Sequence, residues 1–259
     1  MPNPPNPGSS APRSLATAGL PRRVRKVLEQ ALALVSEELD GNLGLMLSEF
    51  EQELFRLADQ ARNPGVESGY MQTLRTFRLN RSDLVPHFML ELEATVAGIR
   101  SAPQPATPAA NDSNPGVTPA PGFGKLSLVD ETVMDEGTVL SEIASRQESR
   151  ANLPLHLLGQ RFGVLAAAPA FDAERIPLGP QSLCRAMRAA SQALQIEHDS
   201  RLLLYRIFDR QVMATYSRVL ERLDELLDRE GILPGLTYVP MRTRATPVET
   251  VEDETPAAG

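Results

Sequence analysis

Histidine is the usual general base and metal ligand. This chain has three, His87, His156 and His198, far apart in sequence and in different predicted helices. None is followed at i+3 or i+4 by a second ligand in a zinc-binding pattern, so surface or helix-end positions are the expected use. Cys184 follows a proline turn and sits in a predicted first helical turn beside Arg185. A helix N-terminus and a neighbouring cation both favour a thiolate. Leu183, Cys184 and Met187 also read as a buried stripe, and packing is the commoner use of a lone cysteine. Asp209-Arg210 interrupts an apolar run. The pair suits a partner anchor, although a salt bridge or a solvated face is the more frequent outcome. Glu131, Asp135 and Glu136 cluster at a predicted helix start, where they complement the helix dipole and no metal need be invoked.

The glycine motifs carry no phosphate chemistry. Gly122-Phe123-Gly124-Lys125 follows proline-rich sequence rather than a strand, and it lacks the Walker spacing and the hydroxyl residue after lysine. Gly159 and Gly163 form a G-x-x-x-G spacing, which in a soluble helix says only that close packing is possible. The expectation is therefore no catalytic residue, no metal and no cofactor, which points away from an enzyme without excluding one.

The elements that must position these residues are helical. After Pro21, Val24, Val27, Leu28, Ala31, Leu32, Val35 and Leu39 recur at helical spacing, and Asp40-Gly41-Asn42 reads as a stop. A second helix carries Leu43, Met46, Leu47, Phe50, Leu54, Leu57 and Ala61, and Asn63-Pro64-Gly65 ends it as a turn. A third runs from about Glu67 to Leu79. A fourth starts near Ser82 or Asp83 and reaches Gly98, with Pro86 in its tolerant first turn. Four short-looped helices imply an antiparallel bundle or two helical hairpins.

Residues 101–124 are rich in proline, alanine and threonine, which predicts an extended disordered linker. Leu126 to Glu131 then reads as a short strand-like or extended lead-in. Helices follow over about 132–150, 153–167 and, launched by Pro177-Leu178-Gly179-Pro180, about 181–194. The last helix is predicted to be long, near thirty residues. Tyr205, Phe208, Val212, Tyr216, Val219, Leu223 and Leu226 step by three and four, and Gly231 stands at the left-handed cap position. Such a helix needs a large partner surface, within the chain or on another chain. Tyr205, Phe208, Val212, Tyr216 and Val219 are its candidate packing or partner-facing anchors.

The composition narrows the class. The 259 residues are 42% hydrophobic and 5% aromatic with no tryptophan, so aliphatic side chains must fill the core. A net charge of −7 opposes general nucleic-acid affinity, which needs a basic surface. The charge is uneven. Arg22, Arg23, Arg25 and Lys26 form a basic group near the start, and Glu249, Glu252, Asp253 and Glu254 an acidic one near the end. The basic group suits an acidic partner or an anionic lipid surface, although a solvated helix start is the commoner reading. A single cysteine fits a reducing cytoplasm. The N-terminal sequence has no secretory h-region, and no apolar run is long enough for a membrane span.

Several segments together resemble a large bacterial family of unknown function, DUF1631. They are Phe50-Glu51-Gln52-Glu53-Leu54-Phe55, Tyr70 to Arg78, Leu126-Ser127-Leu128-Val129-Asp130-Glu131, Pro177-Leu178-Gly179-Pro180 with Leu183-Cys184, and Tyr205 to Val212. Their order and spacing carry the resemblance, which covers most of residues 25–235. It implies no established enzymatic site. Some members carry a thymidine phosphorylase label. That reaction needs a phosphate-binding loop and a substrate-gripping constellation in an α/β domain, and neither is legible here. Members are usually longer, so the resemblance implies an N-terminal portion of such a protein.

The expected architecture is all-α, with two helical-bundle blocks over 21–100 and 125–235. A disordered proline-rich linker over 101–124 joins them, and disordered tails occupy 1–20 and 236–259. The expected function is a cytoplasmic, non-catalytic protein-interaction or regulatory module whose partner is another protein or a second copy. The alternative is a nucleotide-related enzyme or second-messenger sensor, which rests on family association alone.

Overall fold

The computed structural model describes residues 14–100 and 128–236, with side chains of the second segment from residue 135 onward. The described residues form an all-α fold with no strand. The expected linker, the Gly122–Lys125 segment, residues 1–13 and the tail beyond 236 lie outside them.

The first block is one long hairpin rather than four helices. Helix α1 spans Arg22–Gln60 and α2 spans Pro64–Ala97. The expected stop at Gly41 does not occur. Gly41 and Gly44 are exposed, whereas Leu39, Leu43, Met46 and Leu47 continue one buried stripe past them. A helical glycine costs about 1 kcal/mol relative to alanine, less than burying a single leucine contributes. Helix α1 ends at Gln60, and Asn63 caps α2, its side-chain oxygen accepting from Gly65 N at 2.8 Å, with Pro64 in the first turn. Pro86 lies deep inside α2 instead of opening a new helix. It is exposed, so the carbonyl that it leaves unbonded faces water. Leu84, Phe88, Leu92 and Val96 stay buried on either side of it.

The second block contains α3 (Leu128–Arg150), α4 (Asn152–Ala166), α5 (Pro180–Ala193), α6 (His198–Gln211) and α7 (Tyr216–Arg229). Leu128 to Glu131 are already helical, which corrects the extended lead-in for those residues. The Pro177–Pro180 turn does launch α5, with Pro180 at its first position. The long last helix is broken. A 3-10 turn over Met213–Thr215 separates α6 from α7. There Thr215 Oγ1 donates to Val212 O at 2.9 Å and accepts from Asn42 Nδ2 at 2.9 Å. The bend turns α7 onto α1 and α4. Gly231, at φ 73°, closes α7 as expected, with Ile232 N donating to Leu227 O and Gly231 N to Asp228 O.

The two blocks pack on each other around one continuous apolar core. Helix α2 lies against α5, and α1 against α6 and α7. Polar ties reinforce the seam. Asn80 Nδ2 donates to Leu194 O at 3.1 Å, Arg100 Nη2 to Leu165 O at 3.0 Å, and Gln211 Nε2 to Glu49 Oε2 at 2.6 Å. Among the described residues the N-terminal stretch packs against α2: Glu93 accepts from Ser14 Oγ and Leu15 N, and Leu15 is buried.

Candidate functional site

The densest ionisable cluster centres on Glu136 of α3, which is buried. Its carboxylate accepts from Arg201 Nε at 2.7 Å, His198 Nδ1 at 3.1 Å and Tyr205 Oη at 3.3 Å. Arg188 Nε stands 3.8 Å away, and Ser191 Oγ lies 2.8 Å from Tyr205 Oη. Burial works to raise the Glu136 carboxyl. The hydrogen bonds and charges of Arg201 and His198 outweigh it and hold the group below the ordinary carboxylate range. Burial pushes the Tyr205 phenol up to about 12. A saturated carboxylate and a reluctant phenol make a bracket rather than an acid–base pair: Glu136 pins α3 onto α5 and α6. The helix-start explanation therefore fails for Glu136, because α3 begins at Leu128 and Glu136 is two turns inside it. Asp135 remains exposed.

The other expected site residues separate in space. His87 is exposed and donates from Nδ1 to Asp83 O at 2.7 Å. His156 is exposed on α4, 2.9 Å from Gln160 Nε2. Cys184 is buried, and burial, followed by the charges of Asp209 and Glu148, pushes its thiol up to about 12. It packs within the core beside Leu183 and Met187. Asp209 pairs with Arg146 at 2.6 Å, and Arg210 pairs with Glu49. Both are ties within the chain. Among the described residues no group of three or more His, Cys, Asp and Glu side chains converges as a metal would require.

Tyr205, Phe208, Val212, Tyr216 and Val219 all lie in the core. Tyr216 is wholly enclosed and donates to Leu178 O at 2.9 Å, fixing the turn that launches α5. All five are buried against the chain's own helices. The bend at Met213–Thr215 is why: it folds the apolar stripe back on the chain itself.

Sequence reading missed Arg161. It is 2% exposed on α4 and reaches α7 through three groups. Nη1 donates to Ile232 O at 2.7 Å, Nη2 to Asp228 Oδ1 at 3.2 Å, and Nε stands 3.0 Å from Asp224 Oδ1. The i,i+4 pair Asp224 and Asp228 was the only available signal, because arginine at an apolar helix position usually reads as solvated.

A cleft of about 640 Å³ opens between the end of α3, the start of α4 and the α4–α5 connection. Glu148, Asp172 and Glu174 line it beside His156 and Phe171, with no lysine or arginine in its wall. Nucleotide phosphates would meet carboxylates there, so the cleft does not favour the nucleotide reading. Ala170 and Phe171 in its wall belong to the Ala168–Phe171 backbone, which is seated on Gly159 and Gly163. The G-x-x-x-G spacing thus admits a loop rather than a helix.

Exposed large apolar side chains gather on the hairpin. Leu45 (58% exposed), Phe55 (57%) and Leu79 (80%) are the clearest, with Met71 and Leu90 further along α2. Leu45, Ser48, Gln52 and Phe55 form one stripe along α1, and Leu79, Pro86 and Leu90 one along α2. Phe55 shares a shallow groove with Arg78, which pairs with Glu51 at 2.7 Å. The basic group Arg22, Arg23, Arg25 and Lys26 opens α1. Among the described residues no carboxylate forms an ion pair with any of the four, and no helix is long and apolar enough to cross a membrane.

No curated protein and no solved structure matches this chain. One family model does, described as the N-terminal domain of a protein of unknown function, over residues 23–231. That span starts with the basic turn of α1, ends at the glycine that caps α7, and takes in every helix above. The chain belongs to the DUF1631 family, through its N-terminal domain.

Proposed function

We infer that this chain is a non-catalytic protein-interaction or regulatory module working in the cytoplasm. The observation that carries this reading is the set of exposed large apolar side chains on the α1–α2 hairpin, Leu45 and Phe55 on one helix and Leu79 and Leu90 on the other. Single exposed leucines are ordinary on a protein surface; aligned ones on adjacent packed helices are the pattern that marks a contact face. The Arg78–Glu51 ion pair borders the groove that holds Phe55, so a partner docking there meets an apolar centre with a charged rim. The saturated bracket at Glu136 and the inert Cys184 thiol add support, because both take reactive residue types out of play. The lone cysteine fits a reducing compartment.

The test is a Phe55→Glu/Leu79→Glu variant, compared with the wild type by sedimentation velocity and by quantitative proximity labelling in the native cell. Both side chains are exposed, so helicity and melting should be retained. The expected result is that self-association, or a specific set of labelled proteins, disappears with the variant. Identical sedimentation and identical labelling for the two proteins would sink the reading.

A further inference from the structure

Arg75, Arg78 and Arg81 recur every three residues along the middle of α2. At that spacing they wind from the outer face of the helix toward α1. Arg81 Nη1 donates to Glu51 Oε2 at 3.0 Å and Arg81 Nη2 to Ser48 Oγ at 3.2 Å, while Arg78 Nε donates to Glu51 Oε1 at 2.7 Å. Arg75 is exposed, and among the described residues no carboxylate pairs with it. One carboxylate therefore serves a band of three guanidiniums. Asp59 toward the hairpin tip and Asp83 beyond Leu79 are exposed and form no ion pair with the band. The Arg78 and Arg81 side chains stay 59% and 39% exposed, which leaves room for a second anion at each.

This band crosses the exposed apolar side chains of the hairpin. Phe55 shares a groove of about 370 Å³ with Ser48, Glu51, Gln52 and Arg78. Leu79 stands one helical turn beyond Arg75 on the same face of α2. A partner that covers Phe55 and Leu79 must therefore lie over Arg75 and Arg78. A neutral or cationic partner would strip water from these guanidiniums and give nothing back, which costs affinity. A carboxylate replaces that water, and the planar guanidinium fork can donate to both of its oxygens at once.

We propose that the occupant of this face is an acidic amphipathic helix of another protein. Its apolar side chains fill the Phe55 groove and cover Leu79, and aspartates or glutamates on its flank meet Arg75 and Arg78. The proposal rests on the reading of the hairpin as a contact face and names the chemistry of what docks there. Charge complementarity carries it: three arginines stand against one glutamate, on a chain whose net charge is −7. A second copy in a two-fold contact would set the arginine band against itself. An anionic bilayer would have to bury the Glu51 carboxylate together with Phe55, which is costly for a charge. A helix whose acids reach Arg75 leaves Glu51 in its existing pairs. Apolar anchors one turn apart with charged flanks are the helix-in-groove mode of recognition, and the charges steer the encounter and make it sensitive to salt.

The probe is a synthetic amphipathic helix of about 20 residues, about 30 Å long, with leucine on one face and glutamate on both flanks. A second peptide carries lysine in place of every glutamate. Each is titrated against the full chain and read by fluorescence anisotropy. Arg75 forms no ion pair among the described residues, so Arg75→Glu should fold and melt as the wild type does. The expected result is that the glutamate peptide binds the wild type and loses about tenfold in affinity on Arg75→Glu, while the lysine peptide gains. The difference should shrink at about 1 M salt, where the Debye length is about 3 Å. Phe55→Glu/Leu79→Glu should lose the glutamate peptide altogether. A glutamate peptide that does not bind, or that binds wild type and Arg75→Glu alike, would overturn the proposal. So would binding to phosphatidylserine vesicles that Arg75→Glu removes while the peptide goes unbound, which would assign the face to a membrane. If Phe55→Glu/Leu79→Glu still abolished self-association or labelling in the cell, the contact face would stand and only its acidic occupant would fall.

Discussion

Phe88 of α2 and Phe208 of α6 meet edge to face, with ring centroids 6.4 Å apart and planes inclined at 67°. Both rings are fully buried. One comes from each side of residues 101–127, so this contact joins the two helical blocks at the centre of a shared core. Offset and edge-to-face pairs contribute about 0.5–1.5 kcal/mol beyond the area they bury. Blocks that share such a centre have no reason to unfold separately.

Phe208→Ala should therefore destabilise both blocks together. The expected cost is about 3–5 kcal/mol, a large part of a typical domain's stability. Far-UV circular dichroism reports all the helices, while tyrosine fluorescence is weighted toward Tyr205 and Tyr216 in the second block. The two transitions should coincide in wild type and shift together in the variant. A helical transition that stays in place while the tyrosine signal moves would mean two independent blocks.

How much of this was legible beforehand depended on the range of the interaction. The apolar stripes of α1, the launching turn before α5 and the Gly231 cap are local, and local chemistry predicts them. Gly41 and Pro86 misled because their local preferences are real but small beside the burial of Leu39, Leu43, Leu84 and Phe88 around them. The break at Met213–Thr215 was hidden because Val212, Met213 and Tyr216 keep a helical rhythm through it. The bend is marked by Thr215, whose hydroxyl bonds back to Val212 O and takes a hydrogen bond from Asn42, a residue distant in sequence. Of the site residues, the basic turn and the Asp209-Arg210 ion pairs were readable as charge. Glu136 and Arg161 were not, because their partners come from helices distant in sequence.

The Glu136 bracket should leave a signature in acid. A carboxyl held below its ordinary value of 4.5 in the fold stabilises fully above that value. This stabilisation is lost as pH falls through the lower folded value. Glu136→Gln should cost about 3 kcal/mol at neutral pH by leaving Arg201 short of its counter-ion. The variant should also show a shallower loss of stability below pH 4.5. Urea midpoints measured across the acid range check this, and parallel wild-type and variant profiles would show that Glu136 is not the titrating group. Glu148 works in the opposite sense. Burial, reinforced by the charge of Glu174 and opposed by a hydrogen bond from Gln181, raises its carboxyl. Glu148→Gln should therefore be neutral to stabilising at pH 7, with its advantage shrinking as pH falls through the raised value.

The α4–α5 connection offers a test in both directions on one short loop. A Cβ at Gly159 would collide with the Phe171 carbonyl oxygen, and one at Gly163 would lie 2.9 Å from Pro169 O. Neither obstacle is a flexible side-chain tip. Phe171 N also donates to Gly159 O at 3.1 Å, so the loop cannot lift without losing a backbone bond. Gly159→Ala should cost about 1–3 kcal/mol despite alanine's better helix propensity, because overpacking against backbone outweighs it. Eight residues later the argument reverses. Ala167 ends α4 at φ 56° and ψ 43°, a left-handed conformation that costs an L-residue about 1–2 kcal/mol and glycine almost nothing. Ala167→Gly should recover a part of that, about 0.5–1 kcal/mol, after the extra freedom of glycine in the unfolded chain is counted. Thermal melts of the two variants should fall on opposite sides of wild type. If Gly159→Ala melted with or above wild type, the loop would not sit on α4 as described, and the wall of the acidic cleft would have to be redrawn.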